Sequence, residues 1–305
     1  MQRDLLSHLP VVLAVARRRG FAAAAAELGM SPSAVSHAIK TVEDGLGLPL
    51  FVRTTRSVAL TEAGMSFIAS IGPALTTIDE AGEQVGAAKG TVGGLLRLNV
   101  PRLALRVAMT PIMAEIAWRH PDLTIEITCD DRLVDIVAEG FDAGIRLGEM
   151  IADDMVAVRL TPPLKAIMVA SPSYLKAKGE PRAIADLSRH NCIGFRLATA
   201  GGLYAWELRD TNGADVSMEV RGTALTTDPL YAIDLALAGI GIAYVFEQLV
   251  RAEIRERRLR WLVPQASTEW PGLFLYFPRR ASNIPKLRVF IDTARDVFKV
   301  GGRCA

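Results

Sequence analysis

From Val11 to Gly45 apolar, helix-favouring segments alternate with breaks at Gly20 and Gly29. That pattern predicts short helices with sharp ends. Pro10 suits the first turn of a helix, Val11 to Arg18 supply its body, and Gly20 can stop it. Phe21 to Leu28 is almost pure helix former, and Gly29 breaks it. After the turn at Gly29-Met30-Ser31, Ser31 is placed to cap a third helix, Pro32 to open it and Ser33 to Gly45 to form it. Leu28, Met30, Val35 and Ile39 then fall between the second and third helices, leaving Ser33, Ser36, His37 and Lys40 facing outward. An ordinary solvated helix presents such a polar face too, so this segment alone does not fix a role.

Leu46 to Gly64 reads as two short strands around a basic tip, followed by a helix that starts at Thr61. Arg53 and Arg56 stand where a wing would touch phosphates or reach into the minor groove. Between Ala24 and Gly64 the chain carries Ala24-Ala25, Leu28, Ser31, Ala34-Val35-Ser36, Ile39, Glu43, Leu46-Gly47, Leu50-Phe51-Val52-Arg53, Arg56, Leu60-Thr61 and Ala63-Gly64. In residue type and spacing this set resembles the N-terminal pattern of the LysR-type bacterial transcription regulators. The resemblance implies a winged helix-turn-helix over residues 1–61 that binds double-stranded DNA as a dimer. It places Ser31, Pro32, Ser33, Ser36, His37 and Lys40 of the recognition helix, and Arg53, Thr54 and Arg56 of the wing, at the DNA. Family members often have glutamine where this chain has Pro32 and Ala38, and serine where it has Gly20. Glutamine can read adenine, so the base preference stays open.

From Thr61 to about Ala88, Ile68, Ile71, Leu75, Ile78, Gly82 and Val85 alternate at three- and four-residue steps, which is the seam of a coiled coil. The resemblance implies a dimerising linker helix over residues 62–90; the alternative is a helix packed on its own domain. Pro73 predicts a bend within it. The run from Lys89 to Gly94 is a glycine-rich hinge and marks a domain boundary.

Beyond the hinge, strand and helix alternate: Leu95–Val100, Leu103–Arg119, Leu123–Cys129, a helix over Arg132–Glu139 stopped by Gly140, and Ala143–Leu147. This predicts an α/β fold with a mainly parallel sheet. A second set follows: Ala166–Ala170 as strand, Pro172–Ala177 as helix, Cys192–Arg196 as strand, an Asn212-Gly213 turn, a helix from Pro229 capped by Asp228, and Gly241–Val245 as strand. Two α/β lobes result. The strand Leu273–Phe277 and helix Ile284–Phe298 rejoin the first lobe if the resemblance extends to the periplasmic-binding-protein-like effector domains of the family. It then gives an effector-binding domain over residues 91–305, with lobe 1 at about 91–163 and 266–305 and lobe 2 at about 164–265.

Ligands bind between such lobes where strands end and helices begin. The candidates are Pro101, Arg102, Asp130, Asp131, Arg196, Thr227, Asp228 and Phe246, with Arg102 placed to grip a carboxylate. Asp228 reads first as a plain N-cap, and as a ligand contact only second. The expected effector is a small organic anion, and the three aspartates keep a neutral or cationic one open. The resemblance also brings in a homodimer or homotetramer on an inverted-repeat operator, and RNA polymerase as a partner.

Composition narrows this picture only slightly. The 305 residues suffice for two or three domains, and the net charge of +2 does not by itself mark a nucleic-acid binder. Residues 1–61 hold seven Lys/Arg against four acids, so position rather than amount carries the DNA argument. No apolar run approaches the roughly 18 residues of a membrane span. Arg17, Arg18 and Arg19 stand where a signal peptide would be cleaved, which predicts a cytoplasmic protein. Cys129, Cys192 and Cys304 lack metal or disulfide spacing. With no phosphate loop, nucleophile elbow or metal motif, neither an enzyme nor a cofactor is expected. The two lobes alone would also fit a transport-type binding protein, against which the DNA-binding pattern weighs.

Overall fold

The computed structural model describes residues 3–53, 58–87, 92–148, 155–197 and 201–299. Two compact units form: Met1–Thr91 with Ala138–Gly140, and Val92–Val137 with Phe141–Ala305.

In the first unit, α1 (Arg3–Arg18), α2 (Phe21–Leu28) and α3 (Pro32–Leu46) are followed by the strands β1 (Phe51–Arg53) and β2 (Val58–Leu60) and by α4 (Glu62–Ala87). Helix α1 begins well before Pro10, which lies inside it. The apolar stripe explains this: Leu5, Leu9, Val12 and Val15 continue the core-facing side toward the N-terminus, and their burial outweighs a proline cost of about 3 kcal/mol. Gly29 adopts φ 63° and ends α2, its N–H donating to the Ala25 carbonyl. The Ser31 hydroxyl caps α3 by accepting the Ala34 N–H at 3.1 Å. Val12, Val15, Ala25, Val35, Ile39, Val42 and Leu50 form one core, and β1 pairs antiparallel with β2. Ile68 and Ile71 of α4 pack against that same core, whereas Ile78 is 63% exposed. The expected seam is therefore split: its first turns rest on their own domain, whereas Ile78 does not. Val85 has no described side chain.

The second unit begins with β3 (Gly94–Val100), α5 (Arg102–Ala104), a π-helical turn over Leu105–Met109, and α6 (Thr110–Arg119). The wide turn follows from Pro111, which has no N–H for the Val107 carbonyl; the Thr110 hydroxyl instead donates to the Leu105 carbonyl at 2.9 Å. Then come β4 (Leu123–Cys129), β5 (Ala143–Leu147) and β6 (Met155–Arg159). The chain next builds β7 (Leu164–Ala170), α7 (Pro172–Lys178), β8 (Gly194–Arg196), β9 (Leu203–Tyr204), β10 (Trp206–Arg209), β11 (Asp215–Met218), β12 (Leu225–Thr226), α8 (Pro229–Leu237), β13 (Ala243–Phe246), α9 (Arg251–Arg255), β14 (Arg260–Leu262) and β15 (Thr268–Trp270). It closes with β16 (Leu273–Pro278) and α10 (Pro285–Phe298).

The first sheet has the order β4-β3-β5-β16-β6, so the C-terminal strand does return to the first set of strands. It is mixed rather than mainly parallel. Strands β4, β3 and β5 run together, but β16 runs against both of its neighbours. The direction is imposed by the crossover: β6 leaves the sheet where β16 enters it, and the Leu160 N–H donates to the Leu273 carbonyl at 2.8 Å. In the second set β7 is antiparallel to β13, β14 and β15, whereas β12 runs parallel to β8 and Cys192 makes a parallel bridge to Ile242.

The expected helix over Arg132–Glu139 does not form: the chain is irregular to Asp135 and makes turns from Ile136 to Gly140. In a helix the Arg132 carbonyl would accept the Ile136 N–H. Here the buried Arg146 guanidinium takes that carbonyl at 2.7 Å, together with the Asp130 carbonyl at 3.3 Å.

Candidate DNA interface and effector crevice

On α3, the side away from the core carries Ser33, His37 and Lys40 exposed and Ser36 half-buried, with Ser31 and Pro32 exposed at its start. Its inner side is Val35, Ala38, Ile39 and Val42. The 3.6-residue period alone separates these two sides. Ser31 has a second duty, because its Oγ caps the helix and lies 2.9 Å from that of Ser33. Arg53 closes β1, while Thr54 and Arg56 lie outside the described residues. Glu43 escaped the sequence-based selection of site residues. Its carboxylate accepts the N–H groups of Leu50 and Phe51 at 2.8 and 3.1 Å, a contact between segments that no local pattern reports.

In the second unit, Pro101 precedes α5 and Arg102 opens it. The Arg102 N–H donates to Asp131 Oδ1 at 2.8 Å. Its guanidinium Nε lies 3.8 Å from Asp131 Oδ2 and 3.5 Å from Asp228 Oδ2. Asp228 also caps α8, its Oδ1 accepting the Leu230 N–H at 2.8 Å, so both expectations for this residue meet in one carboxylate. Arg102, Asp131 and Asp228 thus form one cluster spanning the two sets of strands, and Thr227 is exposed beside it. At 3.5 and 3.8 Å these contacts exceed the roughly 2.7–2.9 Å of a tight charge-assisted hydrogen bond, so the guanidinium is held loosely.

The other candidates are committed elsewhere. Asp130 binds Arg132, whose guanidinium at 2.6 Å holds the Asp130 carboxyl below its usual range. Arg196 turns to the Gly201 carbonyl at 2.6 Å. Phe246 packs edge-on against Trp270, with ring centroids 5.9 Å apart, and touches the cores of both sets of strands.

Arg146 is a buried structural residue behind this cluster. It is 2% exposed and also donates to Asn99 Oδ1 at 2.5 Å and to the Ile145 carbonyl at 2.6 Å. Burial lowers its pKa. By fixing the carbonyls of Asp130 and Arg132 it holds the loop that presents Asp131 to Arg102.

A helix-turn-helix with a strand ribbon behind it, joined in one chain to paired α/β lobes with charged groups at their junction, defines a DNA-binding regulator with a ligand-sensing domain. Two family models agree. Residues 6–65 match the bacterial regulatory helix-turn-helix protein of the lysR family, and residues 89–299 match the LysR substrate binding domain. The chain belongs to the LysR family of transcriptional regulators. It is similar to the uncharacterized HTH-type transcriptional regulator YcaN of Escherichia coli, with 36% identity over 94% of this chain and 93% of that protein. It is also similar to the HTH-type transcriptional regulator PgrR of Escherichia coli, with 34% identity over 96% of this chain and 97% of that protein. Among solved structures, CrgA from Neisseria meningitidis aligns with a TM-score of 0.60 at 26% identity, over 97% of this chain and 99% of that one. Full-length AphB from Vibrio cholerae gives 0.60 at 21% identity, over 98% of this chain and 100% of that one. Regulators of this family bind DNA and small-molecule effectors and assemble as oligomers. No described helix is long and apolar enough to cross a membrane, and no group of three or more described His, Cys, Asp or Glu residues is placed to hold a metal ion.

Proposed function

We propose that this regulator reads an operator with Ser33, Ser36, His37 and Lys40 in the major groove and Arg53, Thr54 and Arg56 against the flanking backbone, and that an effector bearing an anionic group controls it by taking Arg102. Residues 1–61 serve DNA binding, 62–90 dimerisation and 91–305 effector binding. The target places its work in the cytoplasm. Family resemblance extends the proposal to a homotetramer and to contact with RNA polymerase.

The loose bridge from Arg102 to Asp131 and Asp228 carries the effector reading. A carboxylate arriving between the lobes gains a short bidentate pair with Arg102 and releases Asp228. It therefore binds one lobe arrangement better than the other, which is the condition for shifting an equilibrium. Two carboxylates facing one guanidinium favour a second reading, an ammonium-bearing effector that sits between the aspartates.

A thermal-shift screen of the full chain against small carboxylic acids and amines separates the two. A subset of acids should raise the melting temperature, and Arg102→Ala should remove that gain. Stabilisation by amines, surviving Arg102→Ala and abolished by Asp228→Asn, would replace the anion by a cation. For the DNA half, duplexes selected by the wild-type protein from a randomised pool should be inverted repeats with half-sites about one helical turn, or a multiple of it, apart. His37→Ala should shift base preference at one position, by about 1–3 kcal/mol. Identical selected sequences would take His37 out of the groove.

A further inference from the structure

We propose that Glu43 is a positioning residue for DNA binding: it fixes the wing relative to the recognition helix and reads no base itself. A glutamate on a recognition helix has two usual fates. It accepts a hydrogen bond from cytosine in the groove, or it faces solvent, where it repels phosphate. Glu43 does neither, because one oxygen, Oε1, accepts both the Leu50 and the Phe51 N–H groups. Those two N–H groups lie at the entry to β1, the first strand of the wing ribbon.

The same peptide is gripped from its other side. The Leu50 carbonyl accepts the Thr61 N–H at 2.9 Å, and the Thr61 hydroxyl donates to the adjacent Pro49 carbonyl at 2.8 Å with the Leu50 carbonyl a second acceptor at 3.2 Å. Thr61 Oγ1 in turn accepts the Gly64 N–H at 2.9 Å at the start of α4. A Cβ on Gly64 would lie 2.1 Å from the Leu50 oxygen, so α4 approaches this peptide as closely as glycine allows. The Leu50 peptide is thus the joint at which the recognition helix, the wing and the linker helix meet. Glu43 supplies the recognition-helix side of it.

This assignment rests on the DNA-binding reading above. It predicts that losing the acceptor at position 43 lets the wing drift from its phosphates while the recognition helix keeps its bases. The full chain is tested on duplexes that the wild type selects from a randomised pool. If the wild type selects and retains none, the DNA-binding reading itself fails. With binding established, Glu43→Ala should flatten the salt dependence of the affinity by about one to two units of slope. Repeated selection should keep the central half-site bases and lose preference at the flanks. A merely destabilised protein would bind less at every salt concentration with the slope unchanged, and that result overturns the proposal. Glu43→Gln keeps an oxygen within reach of both N–H groups and should behave as wild type. Glu43→Asp keeps the charge but retracts the oxygen by one methylene and should behave as Glu43→Ala. If Glu43→Ala does not fold, this second pair still decides: Glu43→Asp matching the wild type while Glu43→Gln fails would mean that charge rather than reach matters, and the proposal falls.

Discussion

At the scale of single residues, the chain uses its few partly buried charges to lock short segments together. Glu27 on α2 binds both Arg17 and Arg18 at the end of α1 and is only 14% exposed. Burial alone would raise its pKa, but the hydrogen bonds and charges of Arg18 and Arg17 outweigh that and hold the carboxyl below its usual 4.5. The carboxylate is therefore more stable in the folded than in the unfolded chain. Its contribution is complete above pH 4.5 or so and is lost as pH falls through the lowered folded value. We predict that Glu27→Gln costs about 1 kcal/mol at neutral pH and that the difference from wild type shrinks as the pH drops below about 4.5. Chemical denaturation of the two proteins between pH 3 and 7 checks this; a gap independent of pH would show that the pair contributes nothing through charge. The sequence displayed these three residues, yet nothing in their spacing foretold that one glutamate would serve two arginines from the preceding helix. The same holds for Arg146. Inside a strand of small and apolar residues it reads as a packing position, and its partners come from Asn99 and the loop at 130–132.

Among the elements, α2 and α3 follow the sequence closely because their boundaries are written locally: Gly29 and Gly47 in left-handed conformations, Ser31 as a cap and Pro32 behind it. Helix α4 is different. Its first turns serve two masters, for Ile68 and Ile71 are apolar at seam positions and at positions facing their own core. Ile78, exposed, remains for a partner, with half-buried Leu75 one turn before it. If the proposed dimer forms through this helix, charge on its later part should dissociate it without unfolding the domain. Ile78→Glu is expected to yield monomers by light scattering while the helical circular dichroism signal and melting temperature of the full chain change little. A dimer that persists would place the interface elsewhere. The converse variant, Ile71→Glu, should lower the melting temperature of the first unit whatever the oligomeric state, since it sets a charge against a packed core.

For the molecule as a whole, the two sets of strands in the second unit are joined by crossovers at Leu160–Pro162 and Pro271–Gly272. Gly272 has φ 94°, and a Cβ there would lie 2.6 Å from the Pro162 carbonyl oxygen, so the two crossovers touch backbone to backbone. The Thr161 hydroxyl accepts the Leu273 N–H at 2.9 Å and sets their register. The relation between the lobes, on which the approach of Arg102 to Asp228 depends, passes through this joint. Gly272→Ala should lower stability by about 2 kcal/mol through left-handed strain and the clash. It should also weaken any effector-induced thermal shift, even though residue 272 is not a crevice residue. A variant with lowered melting temperature but an undiminished ligand shift would separate the hinge from sensing.

What the sequence determined by itself is whatever short-range chemistry encodes. The helix-turn-helix, the ribbon behind it and the division into α/β segments all come from periodicity, caps and glycines within a few residues of one another; the expected hinge falls largely on 88–91, outside the described residues. The polar face of α3 was legible for the same reason. Tertiary structure decided the rest. Strand direction in the sheets follows from where crossovers enter, so the mainly parallel sheet expected from alternating elements became a mixed one. An irregular stretch and turns at 132–140 replaced a helix because a buried guanidinium, fixed by a distant strand, claimed the Arg132 carbonyl that the helix needed. Of the eight crevice candidates, Arg102, Asp131 and Asp228 were drawn into one cluster, while Asp130 and Arg196 were taken by neighbours. A side chain's partner is set by the three-dimensional path of the backbone around it, and that path is a property of the whole fold.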